Sequence, residues 1–183
     1  MSIKNLPWIM AAMWLLARFI AGKFLSIENA RNFGVLSNVL LILILIFLTI
    51  YFKYRGLQGA QPTFMADLKD CMKSAIKYVI AASLGIGIYY GVLSNDIDTI
   101  RNSRIELFNE ELKDEANFTK IRTDHPELKD KTREELMQMN SDNVQRYVSV
   151  HMQVLGGLLI LTFVSFAYSL LAVVTWRSLV KRI

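Results

Sequence analysis

Three stretches of this chain run without a charged side chain: Asn32–Phe52, Tyr78–Asn95 and Tyr147–Trp176. Each reaches the roughly 18 residues needed to cross a bilayer core about 30 Å thick. Lipid offers backbone N–H and C=O groups no partner, so a crossing segment must satisfy them internally as a helix. The chain is 53% hydrophobic although 20% of its residues are charged, because the apolar residues come in blocks. The expectation is an all-α integral membrane protein, one membrane domain over 1–183, with four transmembrane helices near 7–25, 34–52, 77–94 and 153–176.

The first span, Pro7–Leu25, carries Arg18 and Lys23, and its unbroken apolar run ends at Ala17. A cleaved signal peptide is the competing reading, with Lys4 as its charged start, but no small-x-small cleavage site follows. A retained span is expected, with Arg18 snorkelling to the headgroups and Trp8 and Trp14 at an interface or a packed face. Ser26–Phe33 reads as a short connection. The second span repeats Leu and Ile on all faces, as suits broad lipid contact, and closes on Lys53, Tyr54 and Arg55.

Gly56–Pro62 reads as a turn, and Thr63 as the cap of one long helix over 63–94. Its first part, 63–77, is amphipathic. Phe64, Met65, Leu68, Cys71, Met72, Ala75 and Ile76 fall on one arc, opposite the row Lys69, Lys73 and Lys77, with Asp67, Asp70 and Ser74 beside that row. Such a helix can lie in the lipid interface with its lysines toward anionic headgroups, or its apolar stripe can pack on the protein itself. In the second part Ser83, Gly87 and Gly91 recur every four residues, with Gly85 between them. Small residues at that spacing let helix backbones approach closely, so this is a candidate packing face. Thr162, Ser165, Ser169 and Ala172 form a matching stripe on the last span.

Residues 95–146 form the one sizeable segment outside the spans. An amphipathic helix is expected to about Glu115, then a loop over Asn117–Leu128. Thr132–Glu135 (TREE) matches a capping box that starts a short helix through Met139. Ser141 is expected to cap the closing helix.

Charge placement sets the expected topology. The segment 95–146 holds 9 basic and 13 acidic residues, or −4. The chain as a whole is +5, so +9 remains, mostly beside the spans. That pattern fits membrane insertion and not a nucleic-acid footprint. It places both termini, Lys4, Lys53, Arg55, the Lys69–Lys77 row, Arg177, Lys181 and Arg182 in the cytoplasm. The acidic helical segment is then extracytoplasmic.

No reaction chemistry emerges. His125 and His151 lack partners at metal-ligand spacing, and the lone Cys71 has no positioned histidine. The pairs Glu110/Glu111 and Glu134/Glu135 point to diverging helix faces near basic residues, as a solvated surface does. No catalytic, cofactor or metal residue is expected. No acidic residue lies inside the expected spans; Arg18, set in from the edge of the first span where Lys23 sits, is a candidate anion contact. Asn38 and Thr49 are too few for a polar pore.

The run FKYRGLQGAQPTFMADLKDCMKSAIKYVIAASLGIGIYY (Phe52–Tyr90) resembles the four-span bacterial membrane proteins of domain of unknown function 4199, found mainly in Bacteroidetes. The similarity lies in a basic-aromatic span end, a Gly-containing turn, a Phe-bearing amphipathic helix and a span ending in tyrosine. The basic end WRSLVKR (Trp176–Arg182) is similar as well, whereas Arg18 and Lys23 depart from the pattern. The resemblance implies a multi-pass protein of the bacterial inner membrane, with no activity and no site residues to carry over. Its members' gene neighbourhoods imply a link to lipid-linked sugar transfer or envelope biogenesis. It also makes Asp98-Thr99-Ile100 similar to a periplasmic O-glycosylation motif. The expected function is a non-enzymatic accessory or scaffold subunit in the bilayer, binding a membrane-protein partner or a second copy. The competing function is a small transporter or lipid-handling protein with Arg18 as its anion contact.

Overall fold

The computed structural model of the chain describes residues 5–56 and 62–180. Lys4, most of the Gly56–Pro62 turn, Lys181 and Arg182 lie outside the described residues. Seven α-helices follow in order: α1 (Leu6–Phe24), α2 (Ile27–Arg55), α3 (Phe64–Ile88), α4 (Asp96–Lys113), α5 (Glu115–Asp124), α6 (Arg133–Tyr147) and α7 (Val150–Val180). Among the described residues, four helical stretches are long and apolar enough to cross a membrane: α1, α2, α3 with its continuation to Leu93, and α7. That is the make-up of a multi-pass membrane protein. The chain divides into two compact units, one of Met1–Tyr89 with Val154–Ile183 and the other of Tyr90–Gln153.

In the first unit, α1, α2, α3 and the body of α7 run alternately up and down. Ser26 accepts the Asn29 N–H at 3.3 Å and starts α2 at once, so the expected connection Ser26–Phe33 is helical and only Leu25 and Ser26 separate α1 from α2. Thr63 caps α3, accepting from Ala66 N at 3.2 Å, and α3 then continues unbroken through both parts of 63–88. Its final turn widens into a π-helix at Tyr89–Leu93.

The core shows how the four helices align. Ile42, Leu45, Ile46 and Ile50 of α2 pack with Cys71, Ala75, Tyr78 and Ala82 of α3, Met10 and Ala11 of α1, and Leu161, Ala172 and Val173 of α7. Within it Tyr78 donates to Asn38 Oδ1 at 2.5 Å. Such a pair spares both groups the cost of an unmet hydrogen bond in an apolar interior. Two close approaches set α3 against α7: a Cβ on Gly87 would lie 3.3 Å from Val154 Cγ2, and one on Gly157 would lie 2.7 Å from Ile86 Cδ1.

α1 is 19 residues long and α2 is 29. Joined by a two-residue turn, they leave α1 beginning about level with α2's Leu45. At the other end of the unit only α2, α3 and α7 continue.

The second unit packs α4, α5 and α6 around buried Ile97, Leu112, Leu136 and Val148. Arg101 Nε donates to Val148 O at 2.6 Å, and Arg133 pairs with Glu115 at 2.5 Å. The capping box is present: Thr132 Oγ1 accepts from Glu135 N, and the Glu135 carboxylate accepts from Thr132 N at 2.9 Å. Two expectations for this unit fail. Residues 117–124 are helical, in α5, because Asp114 caps them by accepting from Ala116 N at 3.0 Å. Ser141 lies inside α6, which runs on to Tyr147. The break comes at Val148–Ser149, where Ser149 Oγ accepts from Met152 N at 3.3 Å and opens α7.

Candidate functional site

Position 67 is the residue that the helical wheel misplaced. Asp67 was expected on the polar side of α3 beside the lysines, yet it is 2% exposed. α3 buries Asp67, Cys71, Ala75, Tyr78, Val79 and Ala82, whereas Met65 is 70% exposed. The amphipathic half of α3 therefore packs into the helix bundle. An interfacial helix with Met65 and Ile76 in lipid and Asp67 in solvent does not describe it.

Two helices supply Asp67 of α3 with donors. From the end of α2, Tyr54 Oη donates to Oδ2 at 2.8 Å and Lys53 Nζ lies 3.0 Å from Oδ1. From the end of α7, Arg177 Nε and Nη2 reach Oδ2 at 3.0 and 2.9 Å. Lys53 also bonds Asp70 at 2.6 Å, and Arg177 donates to the Pro62 carbonyl. Tyr54 packs on Trp176, ring centroids 5.7 Å apart, and Arg177 lies 6.0 Å from the centre of the Phe64 ring. Isolated, a carboxylate so placed would carry a heavy desolvation cost. Two cations and a phenol offset it, so removing one partner costs far more than the pair itself contributes. The arrangement holds the starts and ends of α2, α3 and α7 in one register.

Arg18 sits in the other half of the unit and does not snorkel: it is 2% exposed. Its guanidinium lies 4.2 Å over the Tyr89 ring, a favourable cation–π geometry. Gly34 makes room for it, since a Cβ there would fall 2.9 Å from Arg18 Cδ. Trp14 is placed beside it, donating Nε1 to Gly34 O at 3.0 Å and lying against Gly85. Arg18 is thus a packed member of the helix interface.

The candidate packing stripe is divided. Ser83 is buried, and Gly87 meets Val154 of α7 as just described, but Gly91 is exposed and belongs to the second unit. Gly85, which lies between them in sequence, makes the closest approach to α1, at Trp14. On α7, Ser165 and Ser169 are fully buried, whereas Thr162 is exposed and donates to Leu158 O at 2.6 Å. Lys69 and Lys73 are exposed and Lys77 half-buried. Cys71 is buried. Among the described residues no group of three or more His, Cys, Asp or Glu side chains converges as a metal site.

No protein-family model matches the chain, and comparisons with curated proteins and with solved structures return no match.

Proposed function

We propose that this chain is a non-enzymatic accessory or scaffold subunit of a bacterial inner membrane that binds a membrane-protein partner. The observation that supports this reading is the use made of the bundle's buried carboxylate. Asp67 is engaged by Lys53, Tyr54 and Arg177, all from neighbouring helices. A proton or cation relay needs an ionisable group at membrane depth whose charge can change, and this one is committed to holding helices together. Arg18 is likewise packed against Tyr89 and Gly34, which weighs against the competing role of open anion contact. A role beside lipid-linked sugar transfer or envelope biogenesis is part of this proposal, and its support is the resemblance of Phe52–Tyr90 to domain of unknown function 4199.

Purification of the tagged full chain in a mild detergent tests this. The expected result is one membrane protein retained in constant stoichiometry at each repeat. A chain that purifies alone, and whose binding of a phospholipid or sugar-phosphate is abolished by Arg18→Ala, sinks the subunit reading in favour of lipid handling.

A further inference from the structure

Lys69, Lys73 and Lys77 continue, along one outward stripe of α3, into exposed Ile80, Leu84 and Ile88. The stripe therefore changes from cationic to apolar between Lys77 and Ile80. The register of α3 against α2 gives the depth of that change. Lys53 and Tyr54 meet Asp67, and Asn38 meets Tyr78. The charge-free window of α2, Asn32–Phe52, is the stretch of that helix able to occupy the hydrocarbon. Its Phe52 end is about level with Leu68 of α3. At about 1.5 Å per residue, Lys73 then lies roughly 7 Å and Lys77 roughly 13 Å inside the boundary that α2 defines. A lysine stem reaches about 6 Å and leans toward the helix N-terminus, which here points outward. That suffices for Lys69 and nearly for Lys73, but not for Lys77.

Unlike Lys53 and Arg177, the three row lysines have no ion pair among the described residues, and neither does Arg55. Charge at this depth is met by water and headgroups drawn inward as the leaflet thins. α1 begins about level with Ala75 of α3, so beside Lys69 and Lys73 fewer apolar side chains oppose such thinning.

We propose that the outer face of α3 is a binding surface for anionic phospholipid headgroups, pulled inward at the end of the bundle that holds Asp67. Phosphates meet Lys73 and Lys77 below the plane that α2 would set for the surrounding bilayer. At this end of the bundle a second copy would offer Asp67 and Asp70, and both are already engaged, by Lys53 and Arg177. The surface acts whether or not a protein partner is bound.

The full chain is extracted with small patches of bilayer made from equal parts palmitoyl-oleoyl phosphatidylglycerol and the matching phosphatidylcholine. Retained lipid is then counted by native mass spectrometry. The wild type is expected to retain phosphatidylglycerol preferentially, and the preference to fall about fivefold for each lysine changed to glutamine at 73 and 77. Arg55→Gln, outside the stripe, should lower it less. If Lys73→Gln/Lys77→Gln accumulates poorly, Lys73→Arg/Lys77→Arg keeps the charge and should keep the preference. Equal retention of both lipids by the wild type overturns the proposal, as does an undiminished preference in the glutamine variant. Either result leaves an acidic helix of a partner as the group that meets these lysines.

Discussion

Gly85 and Gly156 are both helical glycines, but the space around them differs. A Cβ at Gly85 would stand 3.2 Å from the Trp14 ring, while at Gly156 nothing lies within 4 Å. Gly85→Val is therefore expected to destabilise the bundle by about 1–3 kcal/mol through overpacking against a rigid indole. Gly156→Ala should be neutral or stabilise by roughly 0.5–1 kcal/mol, because it removes backbone freedom without a clash. Unfolding in mixed detergent micelles, followed by tryptophan fluorescence, checks both. Equal effects at the two positions would mean that α1 does not lie against α3 at Gly85. The small-residue stripe in the sequence, Ser83, Gly87 and Gly91, lies on another face, and Gly87 meets Val154 of α7. That pattern did not single out Gly85, because the partner that needs the space is one tryptophan on α1 and no repeating stripe. Asp67 was harder still to read. Its donors stand 13 and 110 residues away, and a wheel records only neighbours on one helix.

At the level of elements, start signals were legible where a side chain caps its own helix. Thr63 and the Thr132–Glu135 box both sit where the sequence puts them. Helix extents were not: α5 starts on the Asp114 cap, which the sequence reading passed over, and α6 runs on past Met139 to Tyr147. The box also makes a pH prediction. Accepting the Thr132 N–H holds the Glu135 carboxyl below the usual glutamate range, with Lys131 adding to the effect. A carboxyl lowered on folding stabilises above its unfolded value, and that contribution is lost as pH falls through its folded value. Amide protection over Thr132–Leu136, corrected for intrinsic exchange, should fall as the pH is taken down through that range. In Glu135→Gln the step should vanish; an unchanged step would show that another group titrates there.

For the whole molecule, the long charge-free blocks made the class of protein legible, and the up-and-down alternation followed from their number. The relative heights of the helices were not legible. They depend on a 19-residue α1 paired with a 29-residue α2 and on contacts such as Asn38–Tyr78. Those heights bear on how orientation can be measured. Cys71 is buried, so it reports poorly on which side it faces. In a Cys71→Ser background, a cysteine replacing exposed Lys69 should resist an impermeant maleimide added to intact cells. One replacing exposed Glu127 should react. The reverse pattern would invert the topology expected from charge placement.

The central claim is that the bundle's buried charge is structural, joining α2, α3 and α7 through Asp67. A double-mutant cycle on the full chain tests it directly, comparing wild type, Asp67→Asn, Arg177→Gln and the double variant by unfolding in mixed micelles. Each single change should cost about 1–3 kcal/mol. The double variant should cost clearly less than the sum, since losing either partner strands the other. Single variants as stable as the wild type, or costs that simply add, would contradict the account.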